Sequence, residues 1–183
     1  SISQDITEEF DTYLREGGFP KAIQYDSIED RRTYIKGIVT EIFEKDIKRR
    51  VKIRHLSIFQ KVQTYLINNF GATTSISNIL EALKKGGTII KRETLYRYIE
   101  ILKDAKILYE CNRFDLKSRA SINEEQKYYL SDLGFYFATN TDTRINYGPV
   151  LENTIFSYAR AHGYSTSIGR IGKLECDFIL RRN

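Results

Sequence analysis

Apolar residues recur at helical spacing through roughly the first hundred residues and then switch to strand-like runs. This change of period is the tightest constraint on the fold. Residues 5–15 predict a short helix with Phe10, Tyr13 and Leu14 on one face, ended by Gly17-Gly18-Phe19-Pro20. Ser27 is placed to cap a long helix, with Asp30 as a weak form of the capping box, and Ile35, Ile38, Val39 and Ile42 mark its core face. Leu56, Phe59, Val62 and Leu66 predict a further helix that stops at Gly71. Next come a short helix capped by Ser75 or Ser77, a turn at Lys84-Lys85-Gly86-Gly87, and a helix with Leu95, Tyr98, Ile99 and Leu102 inward.

Beyond that point the pattern is mixed. Ile107–Phe114 and Lys127–Ser131 read as β-rich runs separated by a polar stretch from Lys117 to Gln126. The order helix, turn, helix, two-stranded ribbon is that of a winged helix. Tyr147-Gly148-Pro149 then precedes a helix from about Val150 to His162, with Leu151, Thr154, Ile155 and Tyr158 expected as its buried stripe and Glu152 and Asn153 off it. Two strands follow, Tyr164–Ile168 and Leu174–Leu180, around a turn. The expected class is α/β (α+β), predominantly helical. Its parts are a helical region over 1–70, a winged-helix-like unit over 71–135 and an α/β end over 136–183.

At 183 residues with 41% hydrophobic content the chain can bury a substantial core. No apolar stretch approaches the ~20 residues of a membrane helix, so no membrane is expected as a partner. Cys111 and Cys176 have neither metal spacing nor the density of a disulfide scaffold. Both are expected to be small buried hydrophobes in reducing cytoplasm. The chain contains no Met and opens Ser1-Ile2-Ser3, which points to processing or excision from a longer polypeptide.

Net charge is +5, and its distribution matters more than its size. Lys45, Lys48, Arg49, Arg50, Lys52, Arg54 and His55 face a single acid, Asp46, within eleven residues. Such a cluster can neutralise phosphates and release counterions; it equally suits a solvated face or a surface for an acidic partner. Lys91, Arg92, Tyr96, Arg97 and Lys103 decorate the second helix of the winged-helix pattern, where recognition helices meet a DNA groove. Glu93, Glu100 and Asp104 share that helix and dilute its charge, so protein packing is the competing use.

In the last strand Leu174, Cys176, Phe178 and Leu180 alternate with Glu175, Asp177 and Ile179, which places both carboxylates on one face. With Glu152 from the preceding helix they form a candidate magnesium set, Glu152, Glu175 and Asp177. Against this, Glu152 sits in a first turn where the helix dipole favours a negative charge. Glu175 and Asp177 also suit the wet face of an edge strand. No phosphate-binding glycine loop is present, so the chain is not expected to hydrolyse ATP.

Several segments together resemble the domain of unknown function that follows the AAA-type ATPase module in many bacterial and archaeal ATPases. They are Phe10-Asp11-Thr12-Tyr13-Leu14 with Gly17-Gly18-Phe19-Pro20, Asp46-Ile47 before basic residues, and Thr94 through Leu108. Lys127-Tyr128-Tyr129-Leu130-Ser131-Asp132-Leu133-Gly134, Gly148-Pro149-Val150-Leu151-Glu152-Asn153 and Glu175-Cys176-Asp177-Phe178 complete the set. The resemblance implies an ATPase domain preceding Ser1 as the principal partner, a winged-helix middle, and an end that opens a PD-(D/E)XK nuclease-type fold.

In that fold Glu152 and Asp177 take the catalytic carboxylate positions, with magnesium as the cofactor of the intact protein. The strand carrying a catalytic lysine would lie beyond Asn183, and Lys173 sits in a turn rather than at the matching position. The site here is therefore incomplete and the fragment is expected not to cut. The expected function is a nucleic-acid-associated accessory region of an ATPase, with DNA met through Lys45, Lys48, Arg49, Arg50, Lys91, Arg92 and Arg97. The alternative is a module that docks on the ATPase domain or on a partner protein.

Overall fold

A computed structural model describes residues 2–47, 53, 55–115, 120–140, 144–171 and 174–182. The chain is mixed α and β, as its changing period predicts. It starts with α1 (Ile2–Glu16), a 3-10 turn at Ala22–Gln24, and α2 (Ile28–Glu41), which runs on into a π-helical turn at Ile42–Ile47. Helices α3 (Leu56–Asn68), α4 (Ile76–Lys85) and α5 (Arg92–Asp104) lead to strands β1 (Leu108–Asp115) and β2 (Ala120–Leu130). Short α6 (Gly134–Thr139), α7 (Tyr147–Ala161), β3 (Tyr164–Ile171) and β4 (Leu174–Arg182) complete it. No helix among the described residues is long and apolar enough to cross a membrane.

Caps and stops lie where side-chain chemistry places them. Ser27 Oγ accepts from the Asp30 backbone N–H to start α2, and Ser75 Oγ does the same from Asn78 for α4. The buried faces of α3, α4 and α5 meet through Phe59, Val62, Leu66, Ile79, Leu95, Ile99 and Leu102, all at most 2% exposed. This is the main core, and Leu108, Leu130, Leu133 and Phe135 extend it toward the sheet and α6.

The sheet has four strands in the order β2-β1-β3-β4. β1 and β2 pair antiparallel, as do β3 and β4, and the two hairpins join where Arg113–Asp115 of β1 run parallel to Ile168–Arg170 of β3. β2 starts at Ala120, inside the polar stretch expected to separate the strands. Register slips at Asn112/Arg113 let the longer β2 match β1.

The outer edge of β2 is covered rather than open. Thr74 and Gln126 exchange backbone hydrogen bonds of 2.8 and 2.9 Å, and Gly71 N–H donates to Tyr128 O at 2.9 Å. Asn153 of α7 takes the next position: its Oδ1 accepts from Leu130 N–H at 2.8 Å and its Nδ2 donates to Leu130 O at 3.1 Å. A side-chain amide thus stands in for a neighbouring strand at that point.

α7 is rotated from its expected setting. Val150, Asn153, Phe156 and Ala159 form its buried stripe, while Leu151, Ile155 and Tyr158 are exposed. Two causes select this face: the Asn153 amide reaches the β2 edge, and Phe156 stacks on Tyr129 with ring centroids 4.3 Å apart. Phe156 closes a smaller cluster with Cys111, Tyr129 and Ile168, against which Tyr109 and Phe178 pack.

Strict alternation also fails in β4. The β3–β4 register shifts between Ser167 and Gly169, and a Cβ added to Gly169 would lie 3.0 Å from both Cys176 Cβ and Ile179 Cγ1. Cys176 and Ile179 therefore share a side although three positions apart, and Cys176 is exposed rather than buried. Cys111 is buried as expected, and burial pushes its thiol up to about 11.

The first helix is fastened to the middle of the chain by Asp132. Its Oδ2 accepts from Gly18 N–H at 2.9 Å, and its Oδ1 accepts from Gly134 N–H at 2.7 Å and from Gly18 at 3.1 Å. Burial raises the Asp132 pKa above the ordinary carboxylate value, and the Gly134 and Gly18 N–H groups offset part of that.

Candidate functional site

Glu152 and Asp177 come from α7 and β4, the elements that cover the small cluster around Tyr129. Glu152 Oε1 accepts two hydrogen bonds, from Lys127 Nζ at 2.5 Å and from the Tyr129 hydroxyl at 2.6 Å. The side chains of Lys127 and Glu152 are only 7% and 16% exposed. Lys127 and Tyr129 lie two apart on β2, so the pleat aims both at α7. Burial raises the Tyr129 pKa strongly and the Glu152 carboxylate raises it further, which keeps the phenol a proton donor.

Asp177 lies on β4 and is exposed. Glu175 lies in β4, with its side chain outside the described set. Among the described residues no three His, Cys, Asp or Glu side chains gather closely enough to hold a metal ion. The residues around Glu152 fit an ion pair: an ammonium and a phenol already hold its Oε1.

Lys127 and Tyr129 are the members of this cluster that pattern reading missed as site residues. A signal was present: a lysine inside a run as apolar as Lys127-Tyr128-Tyr129-Leu130 needs a buried partner.

The candidate nucleic-acid residues lie elsewhere. Lys48, Arg49 and Arg50, with Lys52 and Arg54, fall outside the described residues, while exposed Lys45 pairs with Glu41 one turn earlier. Lys91, Arg92 and Arg97 are exposed at the start and along the outer face of α5, beside Tyr96. Arg92 reaches across to donate to Ser77 Oγ at 2.8 Å, at the start of α4. Lys103 is tied by Glu100 and Glu110 at 2.7 and 2.6 Å.

A family model described as a domain of unknown function, DUF8612, matches residues 7–144. Its match includes Lys127, Tyr129 and Asp132 and stops before α7. An uncharacterized protein of Haemophilus influenzae is 26% identical over 182 residues, covering 100% of this chain and 45% of its own length. Another, of Methanocaldococcus jannaschii, is 28% identical over 160 residues, covering 87% of this chain and 35% of its own length. The chain thus spans less than half the length of these relatives. No solved structure matches.

Proposed function

We propose that this chain, which belongs to the DUF8612 family of domains of unknown function, is a nucleic-acid-associated accessory region of an AAA-type ATPase. In this reading it neither hydrolyses ATP nor cuts nucleic acid by itself. One observation carries it: Lys91, Arg92 and Arg97 stand exposed on the second helix of a helix–turn–helix that leads into an antiparallel ribbon. That order suits a winged helix, whose second helix meets DNA. The contacts would be to phosphates, since lysine and arginine side chains supply charge without base-edge geometry being required.

Duplex DNA binding by gel shift or fluorescence anisotropy is then expected to weaken steeply with salt. Reversing both Arg92→Glu and Arg97→Glu should cut affinity roughly tenfold or more and flatten the log–log salt slope by about two. Absent or salt-independent binding would rule the reading out.

A second reading, docking onto an ATPase domain or another protein, is favoured by a different observation. α5 also carries Glu93, Glu100 and Asp104, so its outer face is close to neutral, whereas α7 presents Leu151, Ile155 and Tyr158 to solvent at 40%, 52% and 65% exposure. An apolar stripe of this kind suits a protein surface better than a phosphate backbone. Substituting these three with serine should abolish co-purification with the ATPase domain while leaving thermal stability nearly unchanged. Unaltered co-purification would remove α7 from the interface.

The nuclease-like part of the reading would put Glu152 and Asp177 at a magnesium site in the intact protein, a role Glu152 takes only by giving up its bonds to Lys127 and Tyr129.

A further inference from the structure

We infer that the Lys127 ammonium is the resident cation partner of Glu152, which makes Glu152 a structural pin between α7 and β2 and not a divalent-metal ligand in this chain. Five observations converge on it. Glu152 Oε1 is already shared by Lys127 Nζ and the Tyr129 hydroxyl, at 2.5 and 2.6 Å. A metal ion taking that oxygen would have to displace an ammonium that is itself 7% exposed, leaving it unsolvated beside a dication.

The other carboxylate oxygen lies close to the Gly71 turn: a Cβ added to Gly71 would lie 3.7 Å from Oε2 and 3.4 Å from Pro149 Cβ. Nor can Glu152 swing away cheaply. The next residue, Asn153, is 1% exposed and holds α7 in register through both its bonds to Leu130. Asp177, the other candidate ligand, stays exposed.

The pin has a consequence for architecture. It joins β2, inside the family match, to α7, just beyond it, so the two parts are fastened by charge as well as by apolar packing. Removing one member of such a pair strands the other, whereas removing both charges together restores balance.

The test is a metal titration combined with a double-mutant cycle, both without nucleic acid, so a failure here is separate from a failure of DNA binding. Wild-type protein titrated with Mn2+ and Mg2+ by calorimetry is expected to show no saturable site. Its Tm should match that in NaCl of equal ionic strength. Lys127→Met and Glu152→Gln are each expected to lower Tm by roughly 5 °C, and the double variant to regain most of that loss. Saturable Mn2+ binding by wild type that Asp177→Ala or Glu152→Gln removes would overturn the assignment. Additive losses in the double variant would do the same. Should Lys127→Met fail to fold, the wild-type titration and the exposed Asp177→Ala variant still decide between a pin and a ligand.

Discussion

Gly17→Ala is expected to destabilise the chain by more than about 4 kcal/mol, a Tm drop of roughly 8–16 °C for a domain of this size. The cause is geometric and has two parts. Gly17 has φ +85, where an L side chain is strained, and a Cβ there would lie 2.2 Å from Asp132 Oδ1 and 2.3 Å from Gly134 N. Those atoms belong to the bonds by which Asp132 holds Gly18 and Gly134, so the clash cannot be relieved by turning a flexible side chain. Gly87 supplies the control. It has φ +74 but nothing within 4 Å of an added Cβ, so Gly87→Ala should cost only the backbone strain, about 1–2 kcal/mol. Thermal denaturation by circular dichroism separates the two, and equal losses would show that the Asp132 clasp does not constrain the fold.

The clasp also explains why Gly17-Gly18 and Asp132-Leu133-Gly134 stand out in the chain. They are far apart in sequence and meet in space to join α1 to α6. Much of the fold was legible because local rules coincide with tertiary need. Ser27 and Ser75 cap helices, and Phe59, Leu95 and Leu102 are buried on faces that helical spacing picks out. Where the reading failed, a long-range partner had overridden local polarity. Asn153 falls off the expected apolar stripe because polarity alone does not reveal a waiting strand edge. A period of two puts Cys176 on a buried face because it cannot anticipate the register shift beside Gly169. The candidate site was legible as two carboxylates, Glu152 and Asp177. Its cation was hidden, because Lys127 lies 25 residues from Glu152 and only the packing of α7 on β2 brings them together.

Asn153→Leu is the second substitution expected to have a large effect, about 2–3 kcal/mol, although it preserves size and adds apolar surface. Hydrophobicity alone would favour leucine at a site that is 1% exposed. Hydrogen bonding argues the other way and should win. The Leu130 N–H and C=O both end on the Asn153 amide, and Leu130 is itself fully buried, so water cannot replace the lost partner. Leaving a buried backbone donor and acceptor unpaired costs about 1–3 kcal/mol each, against ~1–2 kcal/mol gained from transferring the leucine side chain. The effect should also be local. Hydrogen exchange at the Leu130 amide is expected to quicken more than at Phe59 or Leu95 in the main core, since the β2 edge loses its cover there while α3 and α5 keep theirs. An Asn153→Leu variant within about 0.5 kcal/mol of wild type by chemical denaturation would mean that apolar packing, not the amide, seats α7 on the sheet.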